Sequence, residues 1–214
     1  MLTWTCFESR FLCGRRVNLL WPPLIGYLIG SVPSGFLLTK LSNGLDLRNF
    51  GSGSTGATNV LRSGNKKIAL LTLLSDALKG VLIALCMNWF SDSAATKFIT
   101  CFSCTIGHIY PIWLRFKGGK GVATSAGIFL VFSPLMTLIS ICVWGIIAKI
   151  TKISSLSSMG FIISFTALTI YEFLCDKGDK GLLLYTCSTL SLIIFTHFPN
   201  IFRIIKGSEH IICK

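Results

Sequence analysis

"FGSGSTGATNVLR", Phe50 to Arg62, decides how this chain is read. Gly51, Gly53 and Gly56 form G-x-G-x-x-G, and Asp76 follows Gly56 by twenty positions. Dinucleotide-binding folds use that spacing to bring backbone N–H groups onto a pyrophosphate, with an acidic residue about twenty positions on for the ribose. They also require a buried strand before the loop and a βαβ unit around it. Here "LSNGLDLRN" precedes the loop, polar and charged, and a long apolar segment containing Asp76 follows. The nucleotide reading therefore fails, and the loop is left to hold some other anion.

Composition points the same way. The chain has 214 residues, 52% hydrophobic and 13% charged, with a mean hydropathy of +0.71. A soluble domain carries about 25% charged residues. One soluble core cannot enclose this much apolar surface, so the expected class is an all-α, polytopic membrane helix bundle. The net charge of +12 comes from 20 Lys and Arg against 8 Asp and Glu. These cations sit in short loops beside Gly, Ser and Asn. That suits cytoplasmic loops and small anionic substrates, and argues against nucleic acid as a partner. Most of the nine cysteines lie in apolar stretches. Cys101 and Cys104 form an isolated C-x-x-C within one, without the second pair of a metal site.

Apolar segments of about twenty residues can cross a bilayer as helices. The sequence predicts spans over Trp21–Thr39, Ile68–Phe90, Ala94–Leu114, Ser154–Leu174 and Gly181–Phe198. Two short helices are expected over Val122–Ile150, broken near Ser133–Pro134, because proline removes a donor and clashes with the preceding turn. About seven transmembrane helices result, two of them short. Positive-inside logic puts Lys149, Lys152, Arg203 and Lys206 on the cytoplasmic side with the C-terminus. Gly26, Gly30 and Ser34 give the first span a small-residue face for close packing. Thr72, Ser75, Asp76 and Lys79 share one face of the second, with Asp76 and Lys79 spaced to pair. Arg10, Arg15 and Arg16 would lie outside, so residues 1–20 read as an N-terminal extension whose start is assigned too early; residues 21–214 read as one domain.

Two loops carry the chemistry. Phe50–Arg62 is the first; "RFKGGKGVAT", Arg115–Thr124, is the second and lacks Walker spacing. Glycines let successive N–H groups converge on an anion, and a helix start after each loop adds its dipole. Arg48, Arg62, Lys117 and Lys120 supply full charges, with Lys120 and Arg62 expected to stay solvated until a substrate binds. A third element, "HFPNIFRIIKGSE" (His197–Glu209), ends on the same face.

These blocks, with "GSVPSGFLLTK" and "SDALKG", resemble those of the bacterial acyl-phosphate-dependent glycerol-3-phosphate acyltransferases, over about Pro23–Glu209. The resemblance implies a bacterial inner-membrane enzyme with its active site at the cytoplasmic face. It implies acyl transfer from acyl phosphate to the 1-hydroxyl of sn-glycerol 3-phosphate, with no cofactor, metal or acyl-CoA. The product would be 1-acylglycerol 3-phosphate, made by a monomer among membrane lipid. Catalytic residues carried over are Ser52, Arg62, Lys120, His197, Asn200 and Glu209. The phosphate-binding set is Arg48, Gly51, Gly53, Asn59, Lys117, Gly118, Gly119 and Gly121. Ser54 and Phe198 depart from the Asn and Arg common at those positions.

Ser52 has two open roles, acylated nucleophile or hydrogen-bond donor to a phosphate. "FGSGS" is not a nucleophile elbow, and no base is adjacent, which favours direct transfer. The rival class is a transporter of an organic phosphate; it would call for an inverted repeat with broken helices in matching positions, and the two glycine loops differ in sequence and spacing.

Overall fold

A computed structural model describes residues 21–91 and 93–212, apart from the side chain of Asn43. The reading of residues 1–20 lies outside them. Nine α-helices run in chain order among the described residues: α1 Trp21–Gly30, α2 Ser34–Asn43, α3 Ala57–Arg62, α4 Lys66–Phe90, α5 Ala94–Ile109, α6 Val122–Phe132, α7 Pro134–Thr151, α8 Ser154–Leu174 and α9 Lys180–Ile205. Single 3₁₀ turns occur at Leu47–Asn49 and Ile112–Leu114. By length and composition five segments can cross a membrane: Trp21–Ser42, Lys66–Phe90, Pro134–Thr151, Ser154–Leu174 and Lys180–Ile205. The chain is an all-helical, multi-pass membrane bundle.

Prolines set the departures from the expected spans. The first is broken before Pro33, where Ser31 and Val32 leave the helix; the Ser31 hydroxyl then accepts from the Trp113 indole at 2.9 Å. The third ends at Ile109 rather than Leu114, since Pro111 cannot continue it. Ser133 separates α6 from α7 as expected, with Pro134 at the start of the next helix. However, α7 is 18 residues long, so of that pair only α6, with 11, is short. The last helix continues through Pro199 to Ile205; membrane helices tolerate such a proline because neighbouring groups satisfy the freed carbonyl.

Surface and interior are inverted relative to a soluble fold. Leu70, Leu74, Leu78, Leu82 and Leu85 point outward from α4, while Thr72, Asp76, Lys79 and Gly80 are buried. Lipid supplies no hydrophobic drive between helices, so close packing must. A Cβ on Gly30 would overlap the Cys104 carbonyl, and one on Gly107 the Tyr27 carbonyl, which locks α1 to α5. Gly80 and Gly127 lie equally tightly against Thr124 and Ala77, which locks α4 to α6. Cys101 and Cys104 are core residues here, packed among Ile128, Phe129, Phe165 and Tyr185. Phe129 stacks on Phe165 with ring centroids 3.9 Å apart.

Candidate active site

Four loops meet at one end of the bundle. The Thr55 N–H donates to the Gly118 carbonyl at 3.3 Å, joining the two glycine loops. Thr58 and Ser154 share a hydroxyl hydrogen bond at 2.8 Å, tying α3 to the start of α8. After α9, Gly207 takes the left-handed φ of 65°, open to a residue without a Cβ. The Ser208 N–H caps back onto the Arg203 carbonyl at 2.8 Å. Residues 208–212 then run back over the site, with the Ile212 N–H donating to the Lys152 carbonyl at 2.8 Å.

This end holds a cavity of about 410 Å³. Ser52, Arg62, Lys120, His197, Asn200 and Glu209 all line it, as do Asn59 and Gly121. Residues far apart in sequence are joined by one chain of hydrogen bonds. Lys120 Nζ donates to Asn200 Oδ1 at 2.6 Å, and Asn200 Nδ2 donates to Glu209 Oε1 at 2.6 Å. The same oxygen accepts from Ser155 at 3.0 Å, and Arg203 pairs with Glu209 Oε2 at 2.8 Å. The Glu209 side chain is 2% exposed. Burial pushes its carboxyl up, but hydrogen bonds from Arg203, Asn200 and Ser155 outweigh that and hold it below its ordinary value.

Two cations differ from expectation. Lys120 is only partly exposed: partial burial pushes its ammonium down to about 8, with Glu209 opposing and Arg203 and Arg62 adding to the fall. Arg62 is not free either. Its Nη2 donates to the His210 carbonyl at 2.9 Å and its Nε to the Ile211 carbonyl at 3.3 Å, and burial lowers its pKa. His197 is 1% exposed. Its Nδ1 lies 2.8 Å from the Ile193 carbonyl, so Nδ1 carries the hydrogen and Nε2 of the neutral ring is an acceptor. The Ser52 hydroxyl has no partner among the described residues; only its N–H is bonded, to Asn59 at 3.0 Å.

The expected phosphate set is only partly assembled. Exposed Arg48 turns away to half-buried Asp46, with Nη2 2.6 Å from Oδ2, and this side-chain hydrogen bond holds the Asp46 carboxyl down at about 2. Lys117 is exposed and outside the cavity wall. Gly51, Gly53, Gly118 and Gly119 do not line the cavity. The Gly118 and Gly119 N–H groups are already given to the Ile109 and His108 carbonyls, both at 3.1 Å. These two amides are thus not an open nest, whereas the first N–H groups of α6, after Gly121, have no intrahelical acceptor and are open to an anion. Asn59 is also not a free ligand. Its Nδ2 donates to the carbonyls of Leu47, Phe50 and Ser54 at 3.2, 2.9 and 2.8 Å, so it organises the loop that presents Ser52.

The cavity includes residues the sequence did not single out for the site. Asp76 and His108 line it from α4 and α5, and Ser154, Ser155 and Ser158 from α8. Leu73, Leu74, Ile141, Trp144 and Phe161 make the rest of the wall apolar. The polar face containing Asp76 was visible by periodicity; the α8 serines carry no motif. Among the described residues no group of three His, Cys, Asp or Glu side chains is arranged to hold a metal.

Residues 20–207 match the protein family described as glycerol-3-phosphate acyltransferase. The chain belongs to that family. Relatives of that name include those of Rhizobium meliloti, 40% identical over 186 residues, and Allorhizobium ampelinum, 43% identical over 193 residues. The first match covers 87% of this chain and 88% of the relative, the second 89% and 90%. Among solved structures, the glycerol 3-phosphate form of PlsY (YgiH), an integral membrane glycerol 3-phosphate acyltransferase, superposes with a TM-score of 0.82 at 36% identity. It covers 90% of this chain and 94% of PlsY. The lysophosphatidic acid form of the same protein gives 0.79 at 35%.

Proposed function

We propose that the chain transfers an acyl group from acyl phosphate to the 1-hydroxyl of sn-glycerol 3-phosphate, giving 1-acylglycerol 3-phosphate and inorganic phosphate. The observation that carries this reading is a half-buried cation, Lys120, in a cavity whose remaining wall is largely apolar. That combination suits an acyl chain ending in a phosphate. Lys120 and the first-turn N–H groups of α6 hold the phosphate that leaves, and the free Ser52 hydroxyl donates to it. Arg62 holds the phosphate of the acceptor after exchanging the His210 and Ile211 carbonyls for it. Bare Nε2 of His197 accepts from a glycerol hydroxyl and orients it. The 1-hydroxyl oxygen bonds to the acyl carbon, the acyl–phosphate C–O bond breaks, and the hydroxyl proton leaves with the phosphate. A mixed anhydride is already activated, so alignment is the main requirement, worth about 7–11 kcal/mol when complete; no metal, cofactor or acyl-CoA enters. Purified protein reconstituted in sealed lipid vesicles, with acyl phosphate and labelled glycerol 3-phosphate, should form labelled lipid. Equal rates with acyl-CoA would overturn the donor, and movement of label without product would favour a transporter.

The same reading puts this end of the bundle, and the C-terminus, on the cytoplasmic side of a bacterial inner membrane. Its support is the cationic rim of Lys66, Lys67, Arg115, Lys117, Lys149 and Lys152, against Glu172, Asp176 and Asp179 at the α8–α9 turn. A single cysteine at position 178 should react with an external reagent while one at 118 should not.

A further inference from the structure

Asp76, Lys79 and His108 form a second polar cluster, at most 7% exposed. None belongs to the set assigned catalytic or phosphate-binding roles above. Lys79 Nζ has three acceptors: Asp76 Oδ1 at 2.9 Å, His108 Nδ1 at 2.8 Å and the Val32 carbonyl at 3.3 Å. An ammonium has three N–H groups and no lone pair, so His108 Nδ1 is an acceptor. The ring hydrogen of the neutral imidazole is therefore on Nε2. The 3.4 Å approach of Nδ1 to Asp76 is then a shared attachment to Lys79 rather than a bond.

Nε2–H has no acceptor among the described residues, although the ring lines the cavity. The Nε2 nitrogen is not one of the fully buried unpartnered side-chain atoms, so it is open to the cavity and available to a ligand. Its place is specific: the ring packs so closely on Gly119 that a Cβ there would overlap Nε2, and the next residue is Lys120. We propose that His108, with its tautomer set by Lys79 and Asp76, is a further substrate-contacting residue whose Nε2–H donates to a substrate phosphate oxygen held beside Lys120. The assignment rests on the proposed acyl transfer; the oxygen belongs to acyl phosphate or to glycerol 3-phosphate, and the kinetics tell them apart.

His108→Gln, His108→Asn and His108→Ala test it. A Gln amide reaches the Nε2 position, whereas an Asn amide reaches only Nδ1 and can still serve Lys79. His108→Gln should keep more of the activity than either of the other two variants. His108→Asn and His108→Ala should lose roughly ten- to hundred-fold in kcat/KM, the scale of one hydrogen bond to a charged group. The rise in KM should fall on one substrate, which names the phosphate contacted. The gain in melting temperature with inorganic phosphate, read without turnover, should follow the same order. That readout tests the donor even if wild-type protein forms no acylated product, an outcome that would instead overturn the proposed reaction. Full kcat/KM for both substrates in His108→Ala would sink the assignment. So would Asn outperforming Gln, since the requirement would then be the Lys79 acceptor. If His108→Ala fails to accumulate, the comparison of Asn with Gln decides alone.

Discussion

Lys120→Met should make the protein more stable and far less active. Burial takes the Lys120 ammonium from 10.5 to about 8. At about 1.4 kcal/mol per pKa unit, the charged form carries a penalty of up to about 3 kcal/mol; water in the cavity screens part of it, leaving about 1–3 kcal/mol. The sign follows from proton counting. Between about 8 and 10.5 the folded chain holds fewer protons at this site than the unfolded chain, so this site's contribution to stability rises with pH across that window. The destabilisation is complete below it and gone above it. Lys120→Met removes the penalty, so it should melt above wild type at neutral pH, with the gap closing as pH approaches 10.5. Activity moves the other way, because a substrate phosphate loses a charge-assisted partner worth roughly 1.5–3 kcal/mol. Lipid synthesis should fall by about ten- to hundred-fold in kcat/KM. In the wild type, kcat/KM reports the free enzyme and should decline as pH passes about 8, whereas Lys120→Arg should move that decline upward. The assay is product formation against pH, with melting followed on the same preparations. A wild-type profile flat through this range, or an unmoved decline in Lys120→Arg, would refute the half-buried-cation account.

Further outcomes follow from the same geometry. Glu209→Gln removes the carboxylate that raises Lys120, so the alkaline decline should shift to lower pH in the same rate profile. Asn59→Ala leaves the Leu47, Phe50 and Ser54 carbonyls and the Ser52 N–H without their side-chain partner; a loss of roughly 1–3 kcal/mol is expected, seen as a lower melting temperature together with lost activity. Gly127→Leu drives a Cβ into the Ala77 carbonyl, so folded protein should fall sharply in fluorescence-detected size exclusion, with no selective effect on either KM. Arg62→Lys should raise KM for glycerol 3-phosphate more than for acyl phosphate, because a point charge does not replace the guanidinium fork.

Some features could be read from the sequence because they are local or compositional. Apolar runs long enough to span a bilayer announce a membrane bundle, and Ser133–Pro134 announces a break, because both depend on few neighbouring residues. Ser52, Arg62, Lys120, His197, Asn200 and Glu209 were named from ordered blocks, and the tertiary fold brings them to one cavity. Proline effects were less predictable: Pro111 stopped a helix and Pro199 did not, since in a membrane the outcome depends on what surrounds the freed carbonyl. The roles of donors and cations needed the whole fold. Nothing in "KGGKG" shows that the Gly118 and Gly119 amides are already bound to the carbonyls of His108 and Ile109. The partial burial that lowers Lys120 arises from helices distant in sequence, since Asn200 and Glu209 close over it from the C-terminal end of the chain. Sequence determined which groups carry charge or hydrogen-bonding capacity; packing determined which of them remain available to a ligand, because a donor's partner is fixed by distance in space.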